Sequence, residues 1–214
     1  MTIQDPLKGL GQVLEPDERS QSFVGGLSAA HQELTEIRID RSVPEDVQQL
    51  FETAKNVSLY SWFVYRFHQV AESVAFQALE LGLSMRCEAD RNFRTPKHRR
   101  SLRKYLAHAL SARWIDIGDF TGLQQVATGR ARMRKIVEAI ADGVRTEPIR
   151  IQEPTEAEVE KALAELSSAK YIEQLMQAIS NHRNELAHGS RMLAPRSRSV
   201  LRVVADLLNQ LYPQ

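Results

Sequence analysis

The sequence predicts an all-α protein, a bundle of five or six helices, and three observations carry that expectation. Apolar side chains fall at Val57, Tyr60, Val64, Phe67, Ala71, Val74, Ala78 and Leu81, in alternating steps of three and four that describe the seam of a packed helix. Ser42-Val-Pro-Glu45 and Thr155-Glu-Ala-Glu158 both have the form of a capping box, in which Ser or Thr caps a helix and the acid reaches back to it. Strand-like alternation is confined to the Ile-Arg-Ile triplets at Ile37–Ile39 and Ile149–Ile151, too little for an α/β enzyme.

Residues 1–43 hold Gly9, Gly11, Gly25, Gly26, Pro6 and Pro16 with little periodicity, and are expected to form an irregular N-terminal arm ahead of one helical domain over 44–214. Each Ile-Arg-Ile triplet precedes a Pro and an acidic helix start. The two could pair as a minor two-stranded ribbon, or the repeat is chance. From Ser42 a helical pattern runs to about Arg86, with a break expected near Asn56; Trp62, Phe63 and Val70 widen its apolar face. Pro96 ends any helix there, so Arg99–Trp114 is the next helix and 120–142 the one after. That latter stretch places Leu123, Val126, Met133, Ile136, Val137 and Ile140 on its apolar side, with Arg130, Arg132, Arg134 and Lys135 clustered midway.

After a linker over 143–154, glutamates fill the first turns of a helix that runs about thirty residues to Gly189, long enough for a kink. Pro195 opens the last helix, which carries Val200, Val203, Val204, Leu207, Leu208 and Leu211.

With 214 residues, 43% apolar and 26% charged, the composition is that of an ordinary globular protein with one substantial core. No apolar run approaches the ~20 residues that cross a bilayer, so no membrane association is expected. No secretory leader is visible. The single Cys87 fits a reducing cytoplasm and argues against a Cys-based metal cage.

The net charge of +1 hides an uneven distribution: −6 over 1–85, +8 over 86–145 and −1 over 146–214. The basic middle segment is either a polyanion footprint or is neutralised within the fold or a dimer by the acidic first third. Residues 90–104, DRNFRTPKHRRSLRK, hold seven Lys or Arg, with Arg99, Arg100 and Arg103 as RNA-contact candidates and Phe93 able to stack on a base if exposed. A solvated basic face is the plainer reading.

The stretch that carries chemistry is Arg183–Gly189, RNELAHG. Arg supplies a positive fork that matches phosphoryl oxygens, and His exchanges a proton near neutrality. Asn orients either partner. Asn184 and His188 share a helix face, whereas Arg183 and His188 are about 140° apart at ~100° per residue. Either the helix frays at His188, or the cooperating Arg and His come from two copies of the chain. Arg191, Arg196 and Arg198 add local positive charge, against which Glu185 is the only acid from 183 to 202. A plain helix C-terminus with basic residues near its carbonyls also accounts for the pattern. His68 and Glu72, four apart, with Tyr65 one turn before, could orient the His188 imidazole or form an ordinary helix-surface pair.

RNELAHG resembles the signature of the HEPN superfamily, small all-helical proteins, usually dimeric, of which many are metal-independent ribonucleases in toxin–antitoxin, phage-defence or RNA-processing systems. Others have lost catalysis and bind nucleotides or partners. The resemblance implies that Arg183, Asn184 and His188 are the catalytic trio, that the partners are RNA, a second copy of the chain and an antitoxin or defence protein, and that no cofactor is needed. It also makes Glu72 the first candidate for a supporting residue from an earlier helix. The alternative is a non-catalytic helical module that binds nucleotide, RNA or a protein. No glycine-rich phosphate loop, no metal-ligand spacing and no Ser-nucleophile elbow occurs.

Overall fold

A computed structural model describes residues 6–21, 25–116, 120–141, 153–166, 169–187 and 194–213. Among the described residues there are eight α-helices and no strand: α1 Gly26–Glu36, α2 Glu45–Tyr60, α3 Phe67–Ala89, α4 Leu102–Ser111, α5 Thr121–Ala141, α6 Glu156–Leu166, α7 Ala169–Ala187 and α8 Ser197–Leu211. Short 3₁₀ turns occupy Leu10–Gln12 and Lys97–Arg99. The bundle is therefore all-α as expected, with more and shorter helices. The Ile37–Ile39 stretch is extended but forms no strand among the described residues, and Ile149–Ile151 lies outside them.

One apolar cluster draws on all eight helices. α3 is its centre, packing on α2, α4, α7 and α8. Its buried positions include Ala71, Ala75, Ala78 and Gly82, a ridge of small residues that lets neighbours approach closely. A Cβ added at Gly82 would stand 2.7 Å from Leu208 Cδ2 and 3.6 Å from Val47. α8 supplies Leu201, Val204, Ala205, Leu207, Leu208 and Leu211 to the core, the i, i+3, i+4 pattern of an amphipathic helix. Its far end is stitched to the rest of the chain. Tyr212 Oη donates to Gly82 O at 2.8 Å, Asn209 Nδ2 donates to Arg38 O at 3.1 Å, and Asp40 N–H donates to Asn209 Oδ1 at 2.8 Å.

Several boundaries differ from the sequence expectation for identifiable reasons. The helix from 45 breaks over 61–66 rather than near Asn56, whose side chain stays within the helix by donating to Glu52 O at 2.9 Å. Ser61 Oγ donates to Ser58 O at 2.6 Å, capturing a carbonyl at the end of α2. The 3/4 ladder therefore spans two helices and does not form one face: Tyr60 and Phe67 are exposed, as is Val70, expected to widen the buried face. The Ser42 capping box does not form. Pro44 is the N-cap with ψ 143°, so the helix starts too late for Ser42, whose hydroxyl donates to Tyr212 O instead. The Thr155 box does form: Thr155 N–H donates to Glu158 Oε2 at 2.7 Å and Glu158 N–H to Thr155 Oγ1 at 3.4 Å.

α4 begins later than expected, after the 3₁₀ turn that follows Pro96, and is stopped by Arg113 in the left-handed region at φ 56°. The thirty-residue helix is two helices, α6 and α7. On α5, Met133 and Val137 are exposed and Ala127 and Ala131 are buried in their place; the side chains of Leu123, Val126 and Ile140 lie outside the described residues.

Within the N-terminal arm the described residues include a helix, α1, that its composition did not suggest. Gly25 and Gly26, at φ 83° and 61°, turn the chain into α1, a conformation that side-chain-bearing residues resist. Ahead of it, Asp17 N–H donates to Trp62 O at 2.9 Å and Ser20 Oγ to Ser61 O at 3.3 Å, docking the arm on the α2–α3 turn.

Gly82→Ala separates close approach from helix propensity. Propensity alone favours alanine by about 1 kcal/mol, whereas overpacking against Leu208 costs roughly 1–3 kcal/mol. The variant is expected to melt below the wild type in a thermal denaturation, and a raised Tm would refute the close packing of α3 on α8.

Candidate functional site

The last turns of α7 present Arg183 and Asn184, and His188 follows the helix end, outside the described residues, as does Arg191. Arg183 is half exposed and reaches α3. Its Nη2 and Nε donate to one oxygen, Glu80 Oε2, at 2.8 and 3.2 Å. A guanidinium has five N–H donors, so this bridge leaves donors that a second anion could take. Asn184 is exposed beside it.

The neighbouring residue turns inward. His182 Nε2 meets Glu72 Oε2 at 2.7 Å, and the imidazole edge rests on the Phe76 ring with centroids 5.7 Å apart. The Glu72 side chain is only 3% exposed. Burial pushes its carboxyl above the ordinary range, while the His182 hydrogen bond and charge and then Arg196 act the other way. The acid on α3 thus supports α7 through His182, not through a residue of the trio that the structure describes. Together the pairs Glu72–His182 and Glu80–Arg183 lock the motif end of α7 onto the central helix.

His68 and Tyr65, expected beside the motif, face the start of α8. His68 is buried, with Nδ1 2.7 Å from Ser197 Oγ and Nε2 3.2 Å from Ser61 Oγ. Ser197 Oγ is also 2.7 Å from Ser58 Oγ. Tyr65 packs its ring against the His68 ring at 5.2 Å, and the Arg19 guanidinium sits 4.6 Å over Tyr65. A serine 2.7 Å from an imidazole has the look of an activated nucleophile. Here, however, both ring nitrogens are taken up by serines, and the adjoining cavity of about 10 Å³ has room for one water. Burial, with Arg198 adding to it, pulls the His68 pKa down to about 4, so the ring is neutral at pH 7. This cluster joins α2, α3 and α8 and is too closed for a substrate.

The charge candidates divide as well. Arg198 bridges to Glu33 of α1 at 3.1 Å, and Arg196 is exposed. Arg100 pairs with Glu88 and lies over Phe93, whereas Arg99 and Arg103 are exposed. On α5 three of the four basic residues of the cluster are paired, by acids in and just before α6 and not by the first third of the chain. Arg134 meets Glu165 at 2.6 Å, Lys135 meets Glu158 at 3.0 Å, and Arg132 meets Glu153.

No family model, curated protein or solved structure matches this chain. Among the described residues no group of three or more His, Cys, Asp or Glu gathers as a metal site would require, and no helix is long and apolar enough to cross a membrane. A recess of about 1110 Å³ lies between the N-terminal arm and residues 63–70 and includes no residue of α7.

The sequence pointed to Arg183, Asn184 and Glu72 but missed Glu80 and the role of His182. A signal existed for the latter: His182 falls on the apolar stripe of α7 with Ile179 and Leu186, and a titratable residue there needs a buried partner.

His68 gives stability a pH dependence of known sign. Its folded pKa, about 4, lies below the unfolded value of 6.5. The unfolded chain therefore binds the extra proton between those values, and the contribution, present above pH 6.5, is lost as pH falls toward 4. The gap corresponds to roughly 3 kcal/mol. Urea midpoints measured from pH 7 to 4 are expected to drop for the wild type and to drop less for His68→Gln; parallel curves would exclude His68 as the source.

Proposed function

We propose that this protein is a metal-independent RNA endonuclease of HEPN-like type, acting as a homodimer in a reducing cytoplasm and belonging to a toxin–antitoxin or defence context. One observation carries the reading. The Arg183 guanidinium is anchored at the surface by Glu80 with donors to spare, Asn184 is exposed next to it, and His188 follows one turn later in the sequence. A guanidinium fixed by a carboxylate on one edge is pre-oriented to meet a phosphodiester on another.

In this mechanism His188 takes the proton of a ribose 2′-hydroxyl, the 2′-oxygen attacks phosphorus, and the bond to the 5′-oxygen breaks. The leaving oxygen receives a proton from an imidazolium, so the products are a 2′,3′-cyclic phosphate and a 5′-hydroxyl. Arg183 stabilises the charge that builds on the phosphoryl oxygens, and Asn184 holds the geometry. The angular separation of Arg183 and His188 on one helix is the reason for a dimer, in which one copy's arginine serves the other's histidine. Glu72, through His182, and Glu80 are positioning residues that fix the end of α7.

A second reading has its own support. The Glu80 bridge is also what a purely structural arginine would make, as in a non-catalytic helical module that binds nucleotide, RNA or a protein partner. Labelled RNA incubated with the purified protein in EDTA distinguishes the two. Cleavage leaving a cyclic phosphate, reduced by about 10²–10⁴-fold in His188→Ala and strongly in Arg183→Ala, is the expected result. Retarded but intact RNA supports the binding module. Wild-type rates in Arg183→Ala, or activity only with added divalent metal, would remove the nuclease assignment.

A further inference from the structure

Two groups of basic residues in the middle of the chain, at 86–104 and on α5, are treated oppositely by the fold. On α5, Arg132, Arg134 and Lys135 each face an acid from 153–165. Between Arg86 and Lys104 there are eight Lys or Arg against two acids, and both acids are already engaged: Glu88 by Arg100, and Asp90 by His108 at 2.7 Å. Arg86 lies over the Trp114 ring at 5.0 Å. That leaves Arg91, Arg94, Lys97, Arg99, Arg103 and Lys104, all exposed and without an ion pair among the described residues.

These six charges sit on a stiff support. Asn92 N–H donates to Asp90 Oδ1 at 2.9 Å, and Arg100 Nε donates to Thr95 O at 3.2 Å. The Phe93 ring is clasped by Tyr105, His108 and Arg100, at 5.6, 5.0 and 5.5 Å, and His108 abuts Trp114 at 5.2 Å. Holding like charges together on a fixed loop raises their mutual repulsion, which a mobile loop would relieve. Arg103 and Lys104 also lie in the first turn of α4, which has no acid there and no side-chain cap, so they work against the helix dipole. A polyanion lying along the ridge would lower both costs.

We propose that the ridge formed by residues 91–104 is a binding surface for the phosphate backbone of single-stranded RNA. Phe93 is committed to its neighbours and is not free to stack on a base, so recognition is by phosphate and tolerant of sequence. α4, whose first turn carries Arg103 and Lys104, packs directly on α7, the helix that carries Arg183. The choice of RNA over other polyanions rests on the nuclease reading, but binding here does not require cleavage.

The test uses the full chain and a fluorescein-labelled 2′-O-methyl oligouridylate, which has no free 2′-hydroxyl and is not cut, with anisotropy followed over a range of salt. For a single strand, each phosphate that the protein no longer neutralises reduces the slope of log K against log salt by about 0.7. The variant Lys97→Gln/Arg99→Gln/Arg103→Gln/Lys104→Gln is expected to lower the slope by about 3 and to weaken binding by at least about tenfold at physiological salt, with its thermal melt unchanged. A control, Arg132→Gln/Arg134→Gln/Lys135→Gln on α5, is expected to change the slope by less than about 1. An unchanged slope in the ridge variant, equal weakening in the α5 control, or equally tight binding of polyglutamate would overturn the proposal. Failure of the nuclease reading, seen as intact natural RNA in the cleavage assay, is read independently of this measurement.

Discussion

Everything else in this fold is arranged around one helix that packs on four others. α3 packs on α2, α4, α7 and α8, so its surface must satisfy several kinds of neighbour at once. Small residues, ending in Gly82, accept close packing where α2 and α8 meet it. The same helix presents Glu72 and Glu80 to α7, where His182 and Arg183 answer them. A buried carboxylate is tolerated only with such a partner; without His182, Glu72 would be a poorly compensated acid in the core. The position of the α7 end is therefore set electrostatically as well as by apolar packing, and it is the end that carries the proposed chemistry.

A second division runs through the charges. Glutamates at 153, 158 and 165 take up Arg132, Lys135 and Arg134 of α5, in largely exposed pairs of the kind that contribute little to stability individually. Their effect is on the external field: they oppose three charges of one basic cluster, whereas six at 91–104 make no ion pair among the described residues. The net charge of +1 gives no hint of this contrast.

What could be read in advance follows from how local each signal was. α8 and the Thr155 cap were legible because an amphipathic repeat and a capping box are decided within one or two turns. The α2–α3 turn was not, since Ser61–Arg66 contains neither Gly nor Pro and its apolar residues continue the 3/4 rhythm. α1 was hidden by Gly25 and Gly26, which look like breakers but supply the left-handed entry to the helix. At the site, Arg183 and Asn184 stood out by residue type. The anchor of Arg183, Glu80, lies about a hundred positions earlier, and only the packing of α7 on α3 brings it near. His68 was singled out as an unusual group, but its hydroxyl partners on α2 and α8 assign it to holding helices together.

The stitching of α8 to the early part of the chain bears on how the molecule is made. Asn209 and Tyr212 close onto Arg38, Asp40 and Gly82, and the apolar stripe of α8 covers faces that α2 and α3 present from the outset. During synthesis those faces lack their native cover until residues 197–211 have left the ribosome. Closing such distant partners is the slow step of assembly. Until then the apolar faces of α2 and α3 that α8 covers in the native fold lack that cover.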